Sequence, residues 1–115
     1  MNKILIAAIF GLSALTGTVQ AGSDHYYRQP WVSVAQAHYM EDDSEICLTG
    51  YLIEQLDDEE YLFQDGTGVM MMDIDDDEWR HIQATSRTRL TLCGELDQDD
   101  DDGAELDVEH MDLAY

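Results

Sequence analysis

The sequence predicts a small, mainly β domain: five short strands closing into a barrel, with a short N-terminal helix and a helical turn between strands three and four. Three observations carry that expectation. The stretch Glu60 to Ile74, EYLFQDGTGVMMMDI, places two alternating apolar runs around Asp65-Gly66-Thr67-Gly68, the pattern of two antiparallel strands joined by a tight turn whose glycines can take φ > 0. Three more alternating runs flank it, each bounded by acidic or glycine-containing turn signals. Gly50 and Gly94 interrupt two of these runs, as bends in a tightly coiled sheet do.

The first 21 residues are set apart from the fold. Lys3 opens them, Ile4 to Leu15 is an apolar run, and Val19-Gln20-Ala21 is a small-x-Ala cleavage site. This is the pattern of a secretory signal peptide cleaved after Ala21, which predicts a periplasmic protein with no membrane span once the leader is removed. Residues 22–32, polar and aromatic with the chain's one proline, read as an extended N-terminal arm, and residues 33–115 as the folded domain. Ser33-Val34-Ala35-Gln36 fits a capping box, so a short helix is expected from Val34 to Met40.

The first strand is expected over Glu45 to Leu56, with Ile46, Leu48 and Leu52 on one face and Cys47, Thr49 and Tyr51 on the other. Asp57-Asp58-Glu59 turns into the central hairpin, where Met70 and Met72 share a face and Val69, Met71 and Asp73 take the opposite one. Thioethers suit Cu(I), but alternation buries Met70 and Met72, which favours core packing over copper binding. Asp75 to Trp79 suits one helical turn with acids at its positive end, Trp79 closing one end of the barrel. Arg87 to Leu96 is the fourth strand, with Leu90 and Leu92 inward and Cys93 outward. Asp97 to Gly103 is a turn, and Ala104 to Leu113 the fifth strand, with Leu106, Val108 and His110 assigned to its inner face. Five strands closing with a helix at the crossover from strand three to strand four is the plan of the OB-fold barrel. There the first and fourth strands are antiparallel neighbours, so Cys47 and Cys93 are the candidate pair for a structural disulfide.

Composition narrows the function. The chain has 26 acidic and 5 basic residues among 115, a formal charge of −21. A surface this negative repels phosphate backbones, so nucleic acid is excluded as a partner. The acidic runs fall in predicted turns, where carboxyls stay solvated, and no pair is forced into the apolar pocket that acid–base catalysis requires. His25, His38, His81 and His110 stand in no nucleophile or metal motif. No catalytic residues are therefore assigned. Asp97 to Gly103 is not an EF-hand: its nearest register begins with Gln98, and strands rather than helices flank it. Weak divalent-cation binding by Asp99, Asp100, Asp101 and Asp102 is the alternative reading; no other cofactor is expected.

The segments Ile46-Cys47-Leu48-Thr49-Gly50-Tyr51-Leu52-Ile53-Glu54, Tyr61-Leu62-Phe63-Gln64-Asp65 with Gly68, Met72-Asp73-Ile74-Asp75, Trp79, and Leu90 to Asp97 carry a family resemblance. From about Ser33 to Met111 the chain resembles the periplasmic bacterial OB-fold family of YgiW/YdeI-like stress-tolerance proteins. The resemblance implies an OB fold with a leading helix, a periplasmic location, a role in tolerance of envelope stress, and no catalytic residues to carry over. The chain departs from the family in its Asp run between strands four and five, where relatives often have an aromatic and a lysine, and in its two wall cysteines. An OB fold presents ligands to strands two and three and the loops after strands one and four. That makes Tyr51, Val69, Met71 and Asp73 the candidate ligand-binding residues. The acidic rim points to a cationic peptide, a glycan or cell-wall fragment, or an envelope protein as partner.

Overall fold

The computed structural model describes residues 29–99 and 103–114; the predicted leader and most of the arm lie outside them. The element order is α1 (Val34–Ala37), β1 (Glu45–Gln55), β2 (Glu60–Asp65), β3 (Gly68–Asp73), α2 (Asp76–Trp79), β4 (Leu90–Asp99) and β5 (Gly103–Leu113). The strands close into a ring in the order β1-β2-β3-β5-β4. All neighbouring pairs are antiparallel except β3 and β5. No helix among the described residues is long and apolar enough to cross a membrane.

Strand alternation builds the interior. Ile46 and Leu48 from β1, Phe63 from β2, Met70 and Met72 from β3, Leu92 and Leu96 from β4, and Leu106 from β5 all point inward and are buried, joined by Ile74. Trp79 is half-buried against this core, its ring 5.4 Å from that of Tyr61.

At the hairpin the structure differs from the sequence-based expectation. Among the described glycines only Gly103 has positive φ, so the Gly66 and Gly68 turn does not use left-handed glycine. The Asp65 carboxylate holds it instead. Its Oδ1 accepts from the Thr67 N–H (2.7 Å), the Thr67 hydroxyl (2.6 Å) and the Gly68 N–H (3.2 Å). Its Oδ2 accepts from the Val34 N–H at 2.9 Å, while Thr67 Oγ1 accepts from the Ala35 N–H at 3.0 Å. The turn thus caps α1 from outside, beside the helix's own capping box of Ser33 and Gln36.

The helix is one turn long, ending at Ala37 rather than Met40. The Gln98 amide meets the carbonyls of Ala37 (3.2 Å), which also accepts from the Met40 N–H, His38 (3.2 Å) and Met40 (2.8 Å). Replacing Asp65 with alanine removes four charge-assisted bonds and leaves backbone N–H groups unmet. We expect a stability loss of about 2–4 kcal/mol by denaturant unfolding, with asparagine intermediate.

Two further differences concern β4 and β5. The fourth strand begins at Leu90 rather than Arg87, because Thr85 and Thr88 close a turn of their own: the Thr88 N–H donates to the Thr85 carbonyl and Thr88 Oγ1 accepts from the Thr85 N–H. In β5, Gly94 pairs with Val108 while Cys93 pairs with His110, so Glu109 is an extra, bulged residue. The bulge resets the alternation. Met111 enters the core in place of His110, which was assigned there from the unbroken pattern.

Candidate cation-binding face

Outward-facing positions follow from the same alternation, and strand register brings them together. Glu60 of β2 lies opposite Asp73 of β3; Asp73 lies opposite Asp107 of β5. Asp107 lies opposite Glu95 of β4, and Glu95 opposite Glu45 of β1. One carboxylate from every strand therefore stands in a single row across the outside of the ring. In the adjacent row Glu105 faces Asp97. Like charges directly opposite in a sheet are destabilising, so this face opposes its own folding.

The carboxyls register that repulsion. Partial burial and then Asp73 push Asp107 above its ordinary value of 3.8. Partial burial, Asp73 and Glu60 raise Glu105. Asp43 raises Glu95, with burial, Glu45 and Asp107 adding to it. Burial and Glu45 raise Glu109. At one end of the row, carboxylate oxygens of Glu59, Asp73 and Asp75 all lie within 4.8 Å of one another, and Asp75 is the main cause of a raised Glu59.

These shifts set a pH dependence. A carboxyl with a raised folded-state value takes up its proton in the folded chain first, so stability rises as pH falls from neutral toward the ordinary values of 4.5 for Glu and 3.8 for Asp. Asp65 behaves oppositely. Burial alone would raise it, but bonds from Thr67, Val34 and Gly68 outweigh burial and hold it below 3.8. The stability it contributes is present above that value and is lost as pH falls through its folded value. Thermal melts are expected to show the midpoint rising on mild acidification to pH ~5, then falling in stronger acid. The rise should shrink at about 1 M salt relative to about 0.01 M.

The residues singled out from sequence divide. Tyr51 and Val69 lie in one row, joined through Gln64. Met71 lies in the next row, opposite Leu62 and Glu105, and Asp73 belongs to the carboxylate row. Of the Asp99–Asp102 group, Asp99 ends β4 paired with Gly103, on a strand rather than in a turn; residues 100–102 lie outside the described residues. Cys47 and Cys93 are disulfide-bonded. They are on the outer face as expected, yet both are buried: the Cys47 N–H donates to the Pro30 carbonyl and its carbonyl accepts from the Val32 N–H, laying the end of the arm alongside. Those bonds make Cys47 and Cys93 a non-hydrogen-bonded pair, the site where opposed side chains come closest; their Cα atoms are 4.1 Å apart.

Glu59, Glu95, Glu105 and Asp107 were not singled out from sequence. The outward phase of Glu95, Glu105 and Asp107 is visible in the alternation of β4 and β5, whereas Glu59 lies in the acidic turn before β2; the strand acids stand outside the runs that were placed in turns. The missing signal was register between strands distant in sequence.

The model of the "Bacterial OB fold (BOF) protein" family matches residues 14–113. The chain belongs to the bacterial OB-fold family. It is 34% identical over 110 residues to the calcium-regulated OB-fold protein CarO of Pseudomonas aeruginosa, covering 95% of this chain and 92% of that one. It is also 34% identical to an uncharacterized protein of Haemophilus influenzae, across 99% of each chain. Among solved structures, the hypothetical protein ygiW of E. coli superposes with a TM-score of 0.72 at 26% identity, covering 86% of this chain and all of that one. For this bacterial OB-fold protein the family match spans all five strands and both short helices.

Proposed function

We propose that this chain is an exported, non-enzymatic binding protein of the periplasm that acts in envelope stress by holding a polycationic partner, a basic peptide foremost, on its carboxylate face. The observation that carries the reading is the row of Glu60, Asp73, Asp107, Glu95 and Glu45, one carboxylate from each strand. A sheet that sets like charges opposite one another loses stability that a bound polycation restores, and the same field steers such a partner inward.

The test is titration with an oligolysine peptide at low ionic strength, comparing the wild-type chain with a D73N/E95Q/D107N variant. The expected result is saturable, salt-sensitive binding by the wild type and at least ~10-fold weaker binding by the variant, which should also be the more stable protein. Absence of binding by the wild type, or equal binding by both, overturns the reading.

A second reading rests on Glu59, Asp73 and Asp75, whose three carboxylates supply the hard oxygen donors calcium prefers. The calcium regulation named for the Pseudomonas relative is in keeping with it. A calcium-specific rise in thermal midpoint, absent with sodium at matched ionic strength and abolished by D75N, would support it; an unchanged midpoint would dismiss it.

A further inference from the structure

Beside the carboxylate face is a recess of another kind. The β1–β2 register slips between Leu52 and Glu54, leaving Ile53 as a bulge. Between this bulge and the loop from α2 to β4 lies a groove of about 310 Å³, whose lining includes Glu54, Gln55, Tyr61, Trp79, Thr85 and Ser86. This is the lower end of the range for ligand pockets, the size for one side chain rather than a whole organic cofactor.

Its chemistry is mixed in a specific way. Trp79 and Tyr61 present two rings 5.4 Å apart, tilted by 57°. Glu54 contributes a carboxylate at the wall. The Gln55 amide nitrogen donates to the carbonyls of Asp57 and Asp58, so its Oε1 is the atom left to accept. Burial first, and then the carboxylates of Asp76, Glu59 and Asp58, push the Tyr61 phenol above its ordinary value against a hydrogen bond with Trp79, so the groove lies near the acidic end. Aromatic faces together with carboxylate and amide oxygens complement a group that is flat, cationic and rich in N–H donors. Leu52, Ile53 and Ala84 in the lining match the aliphatic stem of such a side chain, and an anionic occupant would meet repulsion from Glu54.

We propose that this groove takes an arginine side chain of a basic peptide, with its guanidinium stacked on the Trp79 ring, which Tyr61 braces from the side, and hydrogen-bonded to Glu54. The inference rests on the reading of the acidic face and gives that face a residue preference: arginine over lysine, because a planar, weakly hydrated guanidinium stacks on rings while an ammonium stays hydrated.

The experiment uses blocked triarginine, trilysine and tricitrulline peptides at low ionic strength. The protein carries W31F, so that Trp79 is its one tryptophan. Triarginine is expected to change Trp79 emission saturably and to bind about 2- to 5-fold more tightly than trilysine, the scale of an exposed cation–π contact, with tricitrulline not binding. E54Q, at an exposed position, and W79L should each erase the arginine preference while trilysine binding persists, with affinities for all variants read by calorimetry because W79L leaves no tryptophan to report. If the two cationic peptides bind equally and Trp79 emission does not respond, the groove proposal is wrong and the acidic face stands. If neither peptide binds, both fall together.

Discussion

Gly94→Ala is expected to cost at least roughly 3 kcal/mol and to leave little folded protein, measured as yield of monomer and as the urea midpoint. A Cβ at this position would lie well inside contact distance of the Asp107 carbonyl oxygen, 2.9 Å from its carbon and 3.0 Å from the Val108 Cα. These are backbone atoms of β5 beside the Glu109 bulge, and they cannot swing away as a side-chain tip would. Relief requires β4 and β5 to separate where the bulge resets the inward phase and lets Met111 enter the core. Gly50→Ala presses on the Gln64 carbonyl and on Phe63 Cζ at 2.7 Å, and the same direction of effect is expected there. Gly66→Ala is the control: nothing lies within 4 Å of its added Cβ and its φ is not positive, so the change should be neutral or slightly stabilising. Equal tolerance at positions 94 and 66 would contradict the packing described for the β4–β5 seam.

Removal of the Cys47–Cys93 bond by a double serine substitution is expected to cost about 4 kcal/mol, because a freed loop of this length gives the unfolded state back its chain entropy. The two residues are 46 apart in sequence and tie together the strands whose pairing closes the ring. Since both sulfurs are buried, a mild reductant added to the folded protein should act slowly. The same reductant added during refolding should abolish the gain at once. The unfolding midpoints of oxidised, reduced and double-serine proteins provide the measurement; coincident midpoints would show that the bond constrains nothing.

Much of the fold was legible because strand alternation and turn chemistry are local. The inward set of Ile46, Leu48, Phe63, Met70, Met72, Leu92 and Leu106 follows from period two alone, and so does the pairing of two wall cysteines once the topology is assumed. The hairpin was recognised for partly the wrong reason: its glycines were expected to bend the chain, but the Asp65 carboxylate does so, a contact that also needs α1 to be in place. His110 was misplaced because an extra residue in β5 shifts everything beyond it, and a bulge opposite a glycine has no unambiguous mark in sequence. The carboxylate row was hidden for a related reason. Asp73 and Asp107 are neighbours only through the parallel β3–β5 pairing, and residue-level reasoning assigned acids to turns before any register was known.

The segment that lies along Cys47 has one more consequence. Trp31 bridges to the rim of β1 while Pro30 and Val32 complete its backbone bonds, and the sulfur–sulfur link sits beneath the same few residues. Clipping by a protease just upstream of the helix would therefore open two weaknesses in one stroke: a bare strand margin inviting another copy to add on, and a cross-link newly within reach of thiol–disulfide exchange.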